Sequence, residues 1–317
     1  MNDKQINRWL RRRFAVVGWV LIAYYILMNV LAYVSMGLDM AKQTLWGFAA
    51  GDFGGGMDMD AILGNAWSYV VTILVGLAVL HAWKGPDFWR DISVKEKPIH
   101  PDVLFCIISL CIGAQMVNSL WVSLLELIMN QFGLSVMPIL ESVSGDSDTF
   151  SMFLYVSILA PISEEILFRG YVLRSLRPFG KRFAIVGSAL LFGLFHGNLL
   201  QTPYAILVGL LLGYVTVEYS LVWAVFVHMF NNLVLADLLT RLMAALPDTA
   251  YSALNMLLFG GFFLISLGIL RVRSREIGEY RRSEWMDKRC LKCFFTSSGV
   301  LALMAMMAVS IVSLLFA

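Results

Sequence analysis

The stretch SMFLYVSILAPISEEILFRG, residues 151–170, is an apolar run broken by two adjacent carboxylates, Glu164 and Glu165, and by Arg169. A helix that crosses a bilayer needs about 20 mostly apolar residues. Read as such a helix, the stretch puts three charges where hydrocarbon should be, which is costly and marks a functional site by default. Read as a core helix of a soluble domain, it marks nothing. The chain on either side decides between the two.

Of the 317 residues, 59% are hydrophobic and 15% charged. An ordinary soluble domain has roughly 45–50% and about 25%. That balance excludes a soluble protein, a disordered chain and a nucleic-acid-binding domain. The 24 basic and 22 acidic residues nearly cancel, so their placement carries more than their sum. Apolar runs long enough for spans occur at residues 14–36, 61–83, 103–129, 151–176, 183–199, 203–219, 221–242, 251–270 and 294–316. The fifth and sixth are short and separated only by Gln201 and Thr202. The expected fold class is therefore all-α, a polytopic transmembrane helix bundle of about 8–9 spans. Residues 1–150 form an N-terminal three-span region with an outer loop. Residues 151–243 form a four-span core, and residues 244–317 a two-span region with a basic loop.

The basic residues orient the bundle, since Lys and Arg collect on the cytoplasmic side. Arg8, Arg11, Arg12 and Arg13 precede the first run, which is too long for a signal peptide and lacks an Ala-x-Ala site. It reads as an uncleaved span with a cytoplasmic N-terminus. Lys84, Arg90, Lys95 and Lys97 fall in the next loop on that side, Arg174, Arg177, Lys181 and Arg182 in the following one. Arg271 to Lys292 supply the last. The other side carries only Lys42 and Arg241, among acids such as Asp39, Asp58 and Asp146. An odd count of spans puts the two ends on opposite sides. The Gly-rich residues 51–56 read as a flexible loop, and residues 131–148 as an outer segment with no assigned structure. Cys290-x-x-Cys293 has no histidine nearby in sequence to complete a zinc site, so it reads as a reduced or lipidated pair.

Within the fourth run, Glu165 and Arg169 are four apart and can pair on one helix face. Glu164 points about 100° away from them and faces something else. A buried ion pair locking two helices would explain Glu165 and Arg169 but not Glu164. The fifth run carries Phe192 and His196, the seventh His228 and Asn232, each four apart. At 1.5 Å per residue, Glu164, His196, His228 and Asn232 lie ~12 to ~21 Å from the cytoplasmic ends of their spans. Three helices therefore bring polar groups to one layer. A carboxylate and an imidazole can polarise a water, and an imidazole with an amide can donate to an oxyanion. Those parts suit hydrolysis of an amide bond. Gly-x-Ser-x-Gly and His-Glu-x-x-His are both missing. Pro161, just before the acids, opens the helix locally and frees backbone groups. Glu126, Asp237, His81 and His100 read as interfacial and need no role.

These residues resemble a known family. Glu164-Glu165-x-x-x-Arg169, Phe192-x-x-x-His196 and His228-x-x-x-Asn232 look like the three motifs of the CAAX protease and bacteriocin-processing family, which includes the type II CAAX prenyl endopeptidases. Each motif is weak alone; three in the right order, each on an expected span, are specific. The resemblance covers about residues 151–235 and implies an all-helical intramembrane protease of the glutamic type. It implies Glu164 as the catalytic glutamate, His196 as its partner in activating water, and His228 with Asn232 as the oxyanion pair. Glu165 and Arg169 would support them, with Phe192 packed beside His196. No cofactor is expected; zinc at Glu164, His196 and His228 is the alternative the residues leave open. The expected partners are the bilayer and a membrane-anchored peptide or protein substrate, with no nucleic acid. The expected location is the cytoplasmic membrane of a bacterium, with peptide maturation or bacteriocin processing as the task. Two competing functions remain: a non-catalytic immunity or chaperone-like membrane partner, and a proton-coupled transporter.

Overall fold

The computed structural model describes residues 2–50, 58, 62, 64–93, 97–144, 149–283 and 287–315. The expected loop at 51–56 lies outside the described residues, as do positions 61 and 316 and the segment 145–148. Among the described residues every regular element is helical. We number the helices α1 Asp3–Ala49, α2 Trp67–Lys84, α3 Pro86–Ile92, α4 Pro101–Asn130 and α5 Met137–Ser144. There follow α6 Phe150–Phe179, α7 Lys181–Phe195, α8 Thr202–Glu218 and α9 Leu221–Ala244. The last four are α10 Asp248–Val272, α11 Ser274–Ser283, α12 Lys288–Phe295 and α13 Ser298–Leu315.

Seven of these helices, α1, α2, α4, α6, α9, α10 and α13, are long and apolar enough to cross a membrane. The protein is an all-α polytopic bundle. The fifth and sixth expected spans differ from expectation. The helix over 183–199 stops at Phe195, and Thr202 opens the next one. At 15 and 17 residues, α7 and α8 reach only ~22 and ~25 Å. They pack side by side as a hairpin whose open end is closed by Lys181 and Glu218, 3.3 Å apart. The break comes at Gly197, whose φ of 64° suits glycine. Residues 131–148 also gain structure, since α5 lies within them.

The first helix is twice its expected length. An Asn2–Gln5 capping box starts it, no proline interrupts it, and 47 residues carry it ~70 Å. Its buried residues end at Ile22, so only the first half belongs to the core. There Phe14 meets Phe179, Phe183 and Phe294, with ring centres 4.9, 5.4 and 5.6 Å away. In lipid, helices gain little from apolar burial and associate through close packing and polar contacts. Two glycine contacts provide the first. A Cβ on Gly18 would lie 2.1 Å from the main chain of Gly299, fixing α1 on α13. A Cβ on Gly113 would lie 2.3 Å from Ser266 Oγ, which donates to the Ser109 carbonyl between α4 and α10.

Four basic segments meet at one end of the bundle. Lys97 and Lys181 share Glu218, which also accepts from the Tyr280 hydroxyl. Arg273 pairs with Asp102, Arg289 with Asp3, and Arg182 donates to the Arg281 carbonyl. Such exposed pairs contribute little stability each. They do bring together the loops whose positive charge the sequence assigns to a single side. In α12, Cys290 and Cys293 are free thiols packed toward α1. Burial pushes the Cys290 thiol up, which keeps it protonated and unreactive.

Candidate active site

The two helices that carry most of the polar residues are irregular. In α6, π-helical turns at Tyr155–Leu159 and Ile166–Leu173 flank the α-helical segment Ala160–Glu165. In α9, a third π-helical segment runs over Phe230–Leu238. Wide turns of this kind gather at functional sites, where they re-aim side chains. Pro161 accounts for part of it. Ala160 N–H reaches back five residues to the Tyr155 carbonyl, and Pro161 has no N–H to give. The Val156 carbonyl thus loses both of its helical donors. Asn232 of α9 takes their place, donating from Nδ2 at 3.1 Å. The backbone group that Pro161 frees is directed at a neighbouring helix.

Glu165 and Glu164 have unlike surroundings, as their positions on the helix predict. The Glu165 side chain is fully buried, and its Oε1 accepts from Arg169 Nη1 at 2.8 Å and from His228 Nδ1 at 2.9 Å. Arg169, also fully buried, donates its second nitrogen to the Gly209 carbonyl of α8 at 3.3 Å. Its guanidinium carbon stands 4.4 Å above the Phe192 ring. Glu164 keeps a third of its side chain exposed and faces His228 Nε2 at 3.7 Å. His228 is therefore held between the two carboxylates. A carboxylate only accepts, so Nδ1 carries the proton toward Glu165, and Nε2 is the nitrogen turned to Glu164.

His196 ends α7. Its Nδ1 lies 2.9 Å from the Phe192 carbonyl, another pure acceptor, so Nδ1 holds the proton and Nε2 presents a lone pair. The turn that follows is satisfied internally. Asn198 donates to the His196 carbonyl and accepts from Gln201 N–H, Thr202 Oγ1 donates to Gly193, and Trp121 Nε1 reaches the Leu199 carbonyl at 2.9 Å. Non-helical backbone at this depth is tolerated when it is buried in protein in this way. Phe192 lies edge-on to both histidines, with ring centres 5.0 Å from His196 and 5.7 Å from His228.

Glu164 and His196 line one cavity of about 150 Å³ with Phe192, Phe195, Tyr25 and Asn29. A water needs about 10–15 Å³ of such space, so the cavity accommodates water and part of a substrate backbone. The last two residues come from α1, which the sequence reading left outside the site. Of the residues expected to meet, Glu164 and His196 share this cavity, and His228 touches Glu164. Asn232 is turned toward Val156 and is not among the lining residues. Among the described residues, no three His, Cys, Asp or Glu side chains converge on a point that could hold a metal ion.

The sequence reading missed a second set of polar groups behind the site. Gln115 Nε2 donates to the Tyr204 hydroxyl at 2.7 Å, that hydroxyl donates to Asn231 Oδ1, and Asn231 Nδ2 donates to Asn232 Oδ1 at 3.1 Å. The relay links α4, α8 and α9 and ends on the amide that holds Val156. A glutamine in the third apolar run and an Asn-Asn pair in the seventh were its signals.

Residues 146–234 match the family model described as Type II CAAX prenyl endopeptidase Rce1-like. No curated protein and no solved structure matches the chain. The matched stretch holds Glu164, Glu165, Arg169, Phe192, His196, His228 and Asn232. Residues 146–234 of this all-helical polytopic chain are therefore similar to the Rce1-like type II CAAX prenyl endopeptidases.

Proposed function

We propose that the protein is an intramembrane endopeptidase that hydrolyses a peptide bond of a membrane-anchored peptide or protein. The observation that carries this reading is the shared cavity of Glu164 and His196, with His228 held against Glu164. A water between Glu164 and the free Nε2 of His196 loses a proton to the carboxylate as its oxygen attacks the scissile carbonyl. His228 Nε2, 3.7 Å from Glu164, receives that proton and gives it to the leaving amine as the C–N bond breaks. Its Nδ1–H to Glu165 fixes the ring for both transfers, as a buried carboxylate does for other catalytic imidazoles. The amide of Asn232 has a second N–H beyond the one given to Val156. That hydrogen is the donor available to the oxyanion. The scheme uses no metal. The protein would sit in a bacterial cytoplasmic membrane with its basic end in the cytoplasm.

Purified protein reconstituted with a membrane-tethered peptide tests this reading. Cleavage is expected in the wild type and lost in Glu164→Ala and His196→Ala that fold normally. Full cleavage by either variant would sink it. A non-catalytic partner would instead keep its cellular phenotype in Glu164→Gln.

A further inference from the structure

The strongest charged feature outside the site is a recess at the basic end of the bundle, between α1 and the start of α13. Lys4, Arg8, Arg11 and Arg12 line it, with Asn7, Ala15, Thr296 and Ser298. The four cations are spaced so that they follow one face of α1. That same face continues into Ala15 and Gly18, where Gly299 packs against the helix; a Cβ on Gly299 would lie 2.0 Å from the Ala15 carbonyl oxygen. Because α13 starts only at Ser298, the basic stripe overhangs it, and the recess is the space beneath. Its volume is about 560 Å³.

The charges in it are unspent. Asp3, the nearest acid in sequence, pairs with Arg289. Among the described residues, none of Lys4, Arg8, Arg11 and Arg12 has a carboxylate within ion-pair distance. At the same end, Lys97, Lys181, Arg273 and Arg289 each pair with an acid. A flank that only set orientation would need no recess and no clustering on one face. Just beyond the stripe, Trp19 of α1 and Leu301 of α13 are about half exposed, so the polar recess gives way to an apolar surface.

We infer that this recess binds a phosphate-bearing anion, presented as the headgroup of an anionic phospholipid whose chains lie along Trp19 and Leu301. Three guanidinium groups match phosphate oxygens in pairs, and the lysine adds a point charge. Basic pockets between membrane helices recognise anionic headgroups on the same grounds. The site is separate from the cavity of Glu164 and His196 and stands or falls without it.

Native mass spectrometry of the full chain tests the inference, with phosphatidylglycerol or phosphatidylcholine added to the detergent. The wild type is expected to retain phosphatidylglycerol selectively. Arg8→Gln with Arg12→Gln should weaken that retention by about tenfold or more. Because lost charge could also alter insertion, the triple variant Arg8→Lys, Arg11→Lys, Arg12→Lys keeps every charge and removes only the paired donors. It too should bind more weakly. Arg281→Gln with Arg282→Gln, at the same end but outside the recess, should bind as the wild type does. Equal loss in that control, or equal retention of phosphatidylcholine, would overturn the site. Displacement of the lipid by millimolar inorganic phosphate would overturn the lipid as its source.

Discussion

The side-chain amide of Asn232 donates to the main-chain carbonyl of Val156 at 3.1 Å, joining α9 to α6 two turns before Glu164. That carbonyl is open because Pro161 has no N–H and Ala160 bonds to Tyr155. A residue with an N–H at position 161 would offer the carbonyl a helical donor and release Asn232. Pro161→Ala is therefore expected to leave the fold intact and lower kcat by about tenfold or more, the scale of a misplaced oxyanion donor. Asn232→Ala should lower it similarly, and the double variant no further. Additive losses would show that the two residues act apart.

Tyr204 predicts a stability effect. Its hydroxyl joins Gln115 to Asn231 inside the bundle. Tyr204→Phe strands both, at about 1–3 kcal/mol for buried groups left unpaired. Tyr204→Phe with Gln115→Leu removes one of the stranded groups and should recover part of the loss. Thermal unfolding in detergent measures both. Equal melting temperatures for Tyr204→Phe and the wild type would remove the relay from the account.

The Glu165–Arg169 pair separates folding from chemistry. Breaking a fully buried pair by removing one partner costs about 3–5 kcal/mol, whereas replacing both with apolar residues is often neutral. Arg169→Leu should thus be markedly destabilised, and Glu165→Leu with Arg169→Leu much less so. The double variant should still fail to cleave, because His228 Nδ1 loses the carboxylate that orients it. Cleavage by a stable double variant would show that His228 needs no such hold.

The bundle was legible in the sequence because lipid allows few alternatives. Apolar runs had to be helices, and the charges inside them had to converge. Glu165 with Arg169, and Phe192 with His196, followed from spacing of four alone; the contact of Phe192 with His228 on α9 did not. The hairpin was not legible, since a run of apolar residues does not say where a helix stops; Gly197 does, but only once its φ is known. The length of α1 was hidden for a similar reason. Residues past Met36 are less uniformly apolar and yet still helical. The π-helical turns left only Pro161 as a trace, and so Asn232 was read as facing the site when half of its amide serves Val156.

Residues from α1 close the cavity that Glu164 and His196 line, and this gives a test that leaves every polar group of the site in place. Met28 lies on that wall, half-buried, beside Asn29. Met28→Trp puts a rigid ring where a flexible thioether was and takes up space that water and the scissile bond need. Because the residue is on the wall of an open cavity and not in the packed core, the fold should tolerate the exchange. Cleavage should fall by about a hundredfold, the scale on which a misplacement of about 1 Å acts, with the melting temperature nearly unchanged. Met28→Leu, of similar size, should cleave as the wild type does. If the tryptophan variant also cleaves normally, the reaction takes place elsewhere, and the neighbouring apolar cavity between α1, α2 and α6, which Ser163 and Tyr24 line, becomes the place to look.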